Sequence, residues 1–73
     1  MPQPAKIYRL VGETIRTERK KAHMSQEKLA EKADLNRNYI GEIERAEKKI
    51  TLETLEKIAK VFKLHITDLL RDV

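Results

Sequence analysis

The stretch from Ser25 to Arg45, SQEKLAEKADLNRNYIGEIER, limits what this chain can fold into more than any other. Ser25 is an N-cap by type, because a serine hydroxyl accepts from a first-turn amide that has no partner inside the helix. Gln26 and Glu27 follow it, and a carboxylate there faces the positive end of the helix dipole. Leu29, Ala30 and Ala33 then recur at helical spacing. Asp34 and Leu35 interrupt the pattern, and aspartate tolerates the backbone angles of a tight turn better than most residues. Asn36 is a second N-cap, after which Ile40 and Ile43 face inward. Positions 37, 41 and 45, with 38 and 42, share the opposite face by i+4 spacing. The stretch therefore predicts two short helices and a tight turn, a helix-turn-helix over residues 25–46.

The flanking sequence predicts three more helices. Residues 1–6 hold both prolines and no periodic apolar pattern, which predicts a flexible N-terminal arm. A first helix is expected from about Ile7 to Ala22, with Ile7, Val11 and Ile15 stacked at i, i+4, i+8 and Leu10 beside them. Gly12 inside it costs about 1 kcal/mol relative to alanine, which points to the close approach of another helix. His23 falls where the periodicity ends. Glu47 to Ile50 read as a charged loop. Thr51 caps a fourth helix whose stripe is Leu52, Leu55, Ile58, Ala59 and Phe62. Lys63 and Leu64 break the run, and His65 opens a fifth helix with Ile66, Leu69, Leu70 and Val73. Strand-like alternation is absent, so residues 7–73 are expected to form one all-α domain, with helices 4 and 5 at 51–73.

Composition narrows the function classes. A chain of 73 residues buries only about 60% of its unfolded surface, so a second copy would add needed stability. Without cysteine there is no disulfide framework and no thiolate metal site, which fits a reducing cytoplasm. No apolar run is long enough to span a membrane, and no signal-peptide core follows the N-terminal charges. The net charge of +4 is unevenly placed. Residues 1–23 hold six Lys/Arg against two Glu, whereas 24–50 balance six against six and 51–73 four against four. The surplus lies beside the helix-turn-helix and suits nucleic acid without demonstrating it. An enzyme is disfavoured: the two histidines sit at helix ends, no metal-ligand or nucleophile–base spacing occurs, and glycine is too scarce for a phosphate loop. Cofactor, metal and small-molecule ligand are expected to be absent.

With these elements placed, the chain resembles the Cro/phage-repressor-type (Xre) helix-turn-helix regulators. The resemblance rests on Gly12, Ile15, Arg16, Arg19, Ser25-Gln26-Glu27, Leu29-Ala30, Leu35, Tyr39-Ile40, Ile43-Glu44-Arg45, Thr51 to Leu55, Ile58-Ala59 and Leu69-Leu70. It covers roughly residues 7–70 and implies a five-helix bundle of the phage-repressor type. It also implies a transcription regulator, a repressor or an autoregulatory controller, that binds a palindromic double-stranded DNA operator as a homodimer. Stand-alone members of this length include controller proteins of restriction–modification systems. The chain departs from the family at His23, Asp34, Ala46 and Lys63, where members often carry glycine at positive φ. Either the backbone there carries strain or the helix ends differ. Lys28 replaces the usual capping-box glutamate, so Ser25 should cap without a reciprocal bond, and Glu18 should make one edge of the first helix wetter.

On the outward face of the third helix, Arg37 can donate to guanine O6 and N7, Asn38 can pair with adenine, and Glu42 can accept from cytosine N4. The resemblance places base contacts at these positions. Gly41 between them would let the helix approach a base edge. Phosphate contacts are expected from Ser25 and Gln26 at a helix N-terminus, and from Tyr39, Arg45, Lys48 and Lys49 around the recognition helix. Arg45 has Glu42 as an alternative partner. Glu44 points inward and needs a counter-charge. Arg19 is the natural partner and the resemblance implies the same pair, with an exposed Glu44 beside Lys48 as the alternative. Phe62, Leu64, Ile66, Leu69, Leu70 and Val73 exceed what a small bundle must bury and are the dimer-interface candidates. From other classes, a helical protein-interaction module or an antitoxin-like partner binder remains the alternative.

Overall fold

The computed structural model describes residues 4–73. They form five helices: α1 (Pro4–Lys21), α2 (Gln26–Ala33), α3 (Arg37–Glu44), α4 (Leu52–Val61) and α5 (Ile66–Leu69). None is long and apolar enough to cross a membrane. Helix α1 begins at Pro4, three residues before its periodic pattern, so Pro4 to Lys6 are helix rather than arm. Proline is favoured in the first turn because its missing N–H would have had no partner there. The rest of the expected arm, Met1 to Gln3, lies outside the described residues.

The starts of the helices follow from local chemistry. Ser25 Oγ accepts from the Lys28 amide at 3.0 Å, Asn36 Oδ1 from the Asn38 amide at 2.7 Å, and Thr51 Oγ1 from the Thr54 amide at 3.1 Å. At α5 the His65 amide donates to Asp68 Oδ2 at 2.9 Å. With no glutamate at position 28, Lys28 turns outward and pairs with Glu31 at 2.9 Å.

The ends of α1 to α4 share one device. His23, Asp34, Ala46 and Lys63 all adopt left-handed backbone, with φ between 57° and 59°. In each case the next amide reaches back to the carbonyl five residues earlier: Met24 to Arg19, Leu35 to Ala30, Glu47 to Glu42 and Leu64 to Ala59, at 2.8–3.1 Å. These are Schellman ends. They resolve the departure from glycine in favour of strain: the geometry is kept and non-glycine residues occupy it. Met24, Leu35 and Leu64 then pack on the core, whereas α3 is followed by a charged residue, Glu47.

All five helices supply the core: Val11 and Ile15, then Leu29, Ala30 and Ala33, then Ile40 and Ile43, then Leu55, Ile58 and Ala59, and finally Leu69. Each fully buried Leu or Ile contributes about 1.5–3 kcal/mol. Gly12 is where α1 meets the end of α3: a Cβ there would lie 2.5 Å from the Ile43 carbonyl oxygen and 2.9 Å from that of Glu44.

Three expectations about burial change. Leu52 is 74% exposed instead of lining the α4 stripe. Helical side chains lean toward the N-terminus, and at the first residue of a helix that direction leads off its end into solvent. Ile7, one turn into α1, is 42% exposed and does not join Val11 and Ile15 in the core. Leu69, a dimer-interface candidate, is 1% exposed inside the bundle, because α5 packs on α4 and α1 and turns it inward.

Candidate nucleic-acid interface

The site is built from beneath. Arg19 Nε donates to Glu44 Oε2 at 2.7 Å and its Nη2 to Oε1 at 3.1 Å, a two-point pair whose side chains are 11% and 3% exposed. Arg19 Nη1 donates to the Met24 carbonyl at 2.8 Å, and Gln26 Nε2 donates to Glu44 Oε1 at 3.1 Å. One buried carboxylate thus ties the end of α1 and the start of α2 to α3. The alternative of an exposed Glu44 beside Lys48 does not occur. No buried polar side-chain atom among the described residues lacks a partner, as the cost of an orphaned buried charge requires.

Above this anchor, the solvent face of α3 carries a concavity of about 320 Å³ lined by Gln26, Arg37, Asn38, Gly41, Glu42 and Arg45. Arg37 and Asn38 are exposed in the first turn, and Glu42 is half-exposed one turn later. Gly41, expected to sit open to a base, is buried instead. A Cβ on it would lie 3.0 Å from Arg45 Nη1 and 3.4 Å from Gln26 Oε1. The missing side chain lets these two polar groups lie flat across the helix.

The flanking residues differ from one another. Ser25 spends its hydroxyl oxygen on the cap, leaving the amides of Gln26 and Glu27 without helical partners. Gln26 spends part of its amide on Glu44. Tyr39 is half-buried against the core. Lys48 and Lys49 are exposed and enter none of the ion pairs formed among the described residues. Arg45 pairs with Glu47 rather than Glu42: Nε donates to Oε2 at 2.9 Å and Nη2 to Oε1 at 3.1 Å. That bond raises the Arg45 pKa and lowers that of Glu47, so both stay charged. Sequence reasoning missed Glu47; the one local signal was a charged residue where the other helix ends place an apolar one.

A larger concavity of about 440 Å³ lies between α1 and α5, but its Glu18–Lys21 and Asp68–Arg71 charges pair within it. Glu18 is half-buried there, at the wetter edge of α1. Of the dimer candidates, Phe62, Leu64, Ile66 and Leu70 are half-buried and Val73 is 56% exposed, whereas Leu69 is withdrawn into the core.

A helix-turn-helix family model matches residues 15–69. The chain belongs to this Xre-type helix-turn-helix family of transcription regulators. It is 45% identical over 62 residues to the control protein C.BamHI of Bacillus amyloliquefaciens, covering 84% of this chain and 76% of that one. It is 41% identical over 64 residues to the control protein C.SmaI of Serratia marcescens, covering 88% and 76%. Among solved structures, the restriction–modification controller protein C.AhdI of Aeromonas hydrophila superposes with a TM-score of 0.83 at 29% identity, over 85% of this chain and 94% of that one. SinR, a master regulator of biofilm formation solved in complex with DNA, gives 0.78 at 33% identity over 82% and 97%. The five-helix fold of this chain is theirs.

Proposed function

We propose that the protein is a sequence-specific regulator that inserts α3 into the DNA major groove and reads a palindromic operator as a symmetric homodimer. It acts as a repressor or as an autoregulatory controller. The observation that carries this is the concavity on α3: donors and acceptors able to address base edges gather on one exposed helix face, above a buried anchor that fixes them. Similarity to two control proteins and to a regulator solved with DNA supports the same reading.

Arg37 reads guanine, Asn38 reads adenine and Glu42 accepts from cytosine. Gly41 makes room for the Arg45 guanidinium beside them. Ser25, Gln26, Tyr39, Lys48 and Lys49 hold phosphates on either side and set the register of the helix. Phe62, Leu64, Ile66, Leu70 and Val73 form the self-association surface. A symmetric dimer places the two α3 helices about one turn of DNA apart, roughly 34 Å.

Selection from random-sequence duplexes at two salt concentrations tests this. The expected product is a palindrome with half-site centres roughly 10 bp apart. Binding that is weak and indifferent to sequence would overturn it in favour of a protein-interaction module.

A further inference from the structure

Arg45 stands at the C-terminal end of α3, where the sequence leads to the expectation of a phosphate contact. Its side chain instead runs back over Gly41 and lines the concavity with Arg37, Asn38 and Glu42. Glu47 keeps it there through the Nε and Nη2 bonds of 2.9 and 3.1 Å. The left-handed turn at Ala46, φ 59°, is what brings Glu47 round beside Arg45.

A guanidinium has two edges that offer paired donors. Glu47 closes the Nε/Nη2 edge. The Nη1/Nη2 edge remains, and its Nη1 end lies over Gly41 on the α3 face. Two parallel donors match guanine O6 and N7, and also a phosphate. Charge separates these targets. Arg45 with Glu47 is a neutral unit, and gripping a phosphate would bring the Glu47 carboxylate toward the DNA backbone. A base edge carries no net charge and imposes no such repulsion.

We infer that Arg45 reads a guanine through its Nη1/Nη2 edge and that Glu47 is the positioning residue that aims it. The inference rests on α3 occupying the major groove, and it replaces the phosphate role expected for Arg45 from sequence.

The test uses the full chain, the duplex enriched from random sequence, and duplexes that each change one base pair, titrated at two salt concentrations. Both side chains are more than half exposed, at 57% and 54%, so their substitution leaves folding intact, which a thermal melt verifies. Arg45→Lys keeps the charge but loses the paired donors. It is expected to lose roughly tenfold discrimination at one G·C pair with an unchanged salt slope. Glu47→Ala frees the Arg45 charge and its aim together. Preference at that same pair flattens while the slope of log affinity against log salt steepens by up to about 0.9. A purely structural role for Glu47 would leave base preference untouched.

Full discrimination retained by Arg45→Lys overturns the inference. So does Arg45→Ala weakening every duplex equally with a slope shallower by about 0.9, the mark of a phosphate contact. If the wild type enriches no duplex at all, the groove-reading function itself fails. If Arg37→Ala relaxes one base pair while Arg45→Lys changes nothing, only the role of Arg45 fails.

Discussion

Replacing Gly12 by alanine sets two known effects against each other, and the structure decides which wins. The added Cβ would lie 2.5 Å from the Ile43 carbonyl oxygen and 2.9 Å from that of Glu44. Both oxygens belong to the backbone at the end of α3, so no rotamer change relieves the overlap. Overpacking a tight interior costs about 1–3 kcal/mol, and a clash with backbone belongs at the top of that range. Alanine recovers about 1 kcal/mol of helix propensity. The net expectation is a loss of about 2 kcal/mol. In a domain of this size each kcal/mol moves Tm by roughly 4–8 °C, so the fall should be about 8–16 °C. Thermal unfolding followed by circular dichroism reads it, with the urea midpoint as a second measure. The displaced segment carries Glu44, and through it Gln26, so discrimination between DNA sequences should weaken even where the variant is fully folded. A Gly12→Ala protein that melts at or above the wild-type temperature would refute the reasoning: propensity would have won, and α1 would not approach α3 so closely.

Three further outcomes follow from other parts of the molecule. Glu44→Gln leaves Arg19 without its counter-charge and should cost about 3 kcal/mol, near the lower end for breaking a buried pair, since the bond from Arg19 to the Met24 carbonyl survives; an unchanged melting temperature contradicts the assignment. Ala46→Gly should stabilise by roughly 0.5–1 kcal/mol, because alanine pays the left-handed steric penalty in full; Asp34→Gly should gain less, and the reverse order in urea midpoints would refute this. The Asp68 pKa is lowered, chiefly by the His65 amide and also by Arg71. Its stabilisation is therefore present above its ordinary value of 3.8 and is lost as pH falls through the lower folded value. Asp68→Asn should accordingly flatten that part of the acid-side stability curve; curves of identical shape would show that the bond contributes nothing.

The legibility of the fold varied with how local its causes were. Ser25, Asn36 and Thr51 mark helix starts within three residues of the amides they cap, so sequence alone located them. The Schellman ends were legible as positions but not as geometry: at His23, Asp34, Ala46 and Lys63 the sequence left open whether non-glycine residues keep the left-handed turn or the helix ends differ, and the turn is kept. Inward periodicity found the buried stripes but failed where a helix ends or packs late. Leu52 fits the α4 stripe by spacing, yet has no preceding turn to lie upon. Leu69 was interchangeable with Leu70 in sequence, and only the packing of α5 on α4 and α1 separates them.

The candidate site divides in the same way. Exposed side chains on one face of α3 follow from 3.6-residue periodicity, so Arg37, Asn38 and Glu42 could be named from spacing. Gln26 as a third participant in the Arg19–Glu44 pair joins three helices and leaves no mark in local sequence. The pairing of Arg45 with Glu47 required the turn at Ala46 to be known first. Gly41 was recognised as special, but what it admits is the Arg45 guanidinium.

The central claim is that α3 reads bases, and Arg37 tests it most directly. The measurement is the affinity of wild type and Arg37→Ala for the selected duplex and for duplexes changed one base pair at a time. A base-reading Arg37 should lose about 1–3 kcal/mol on the selected duplex when replaced by alanine, and nothing on the duplex altered at the base Arg37 contacts. Equal weakening on every duplex would contradict it and reduce Arg37 to a grip on the DNA backbone.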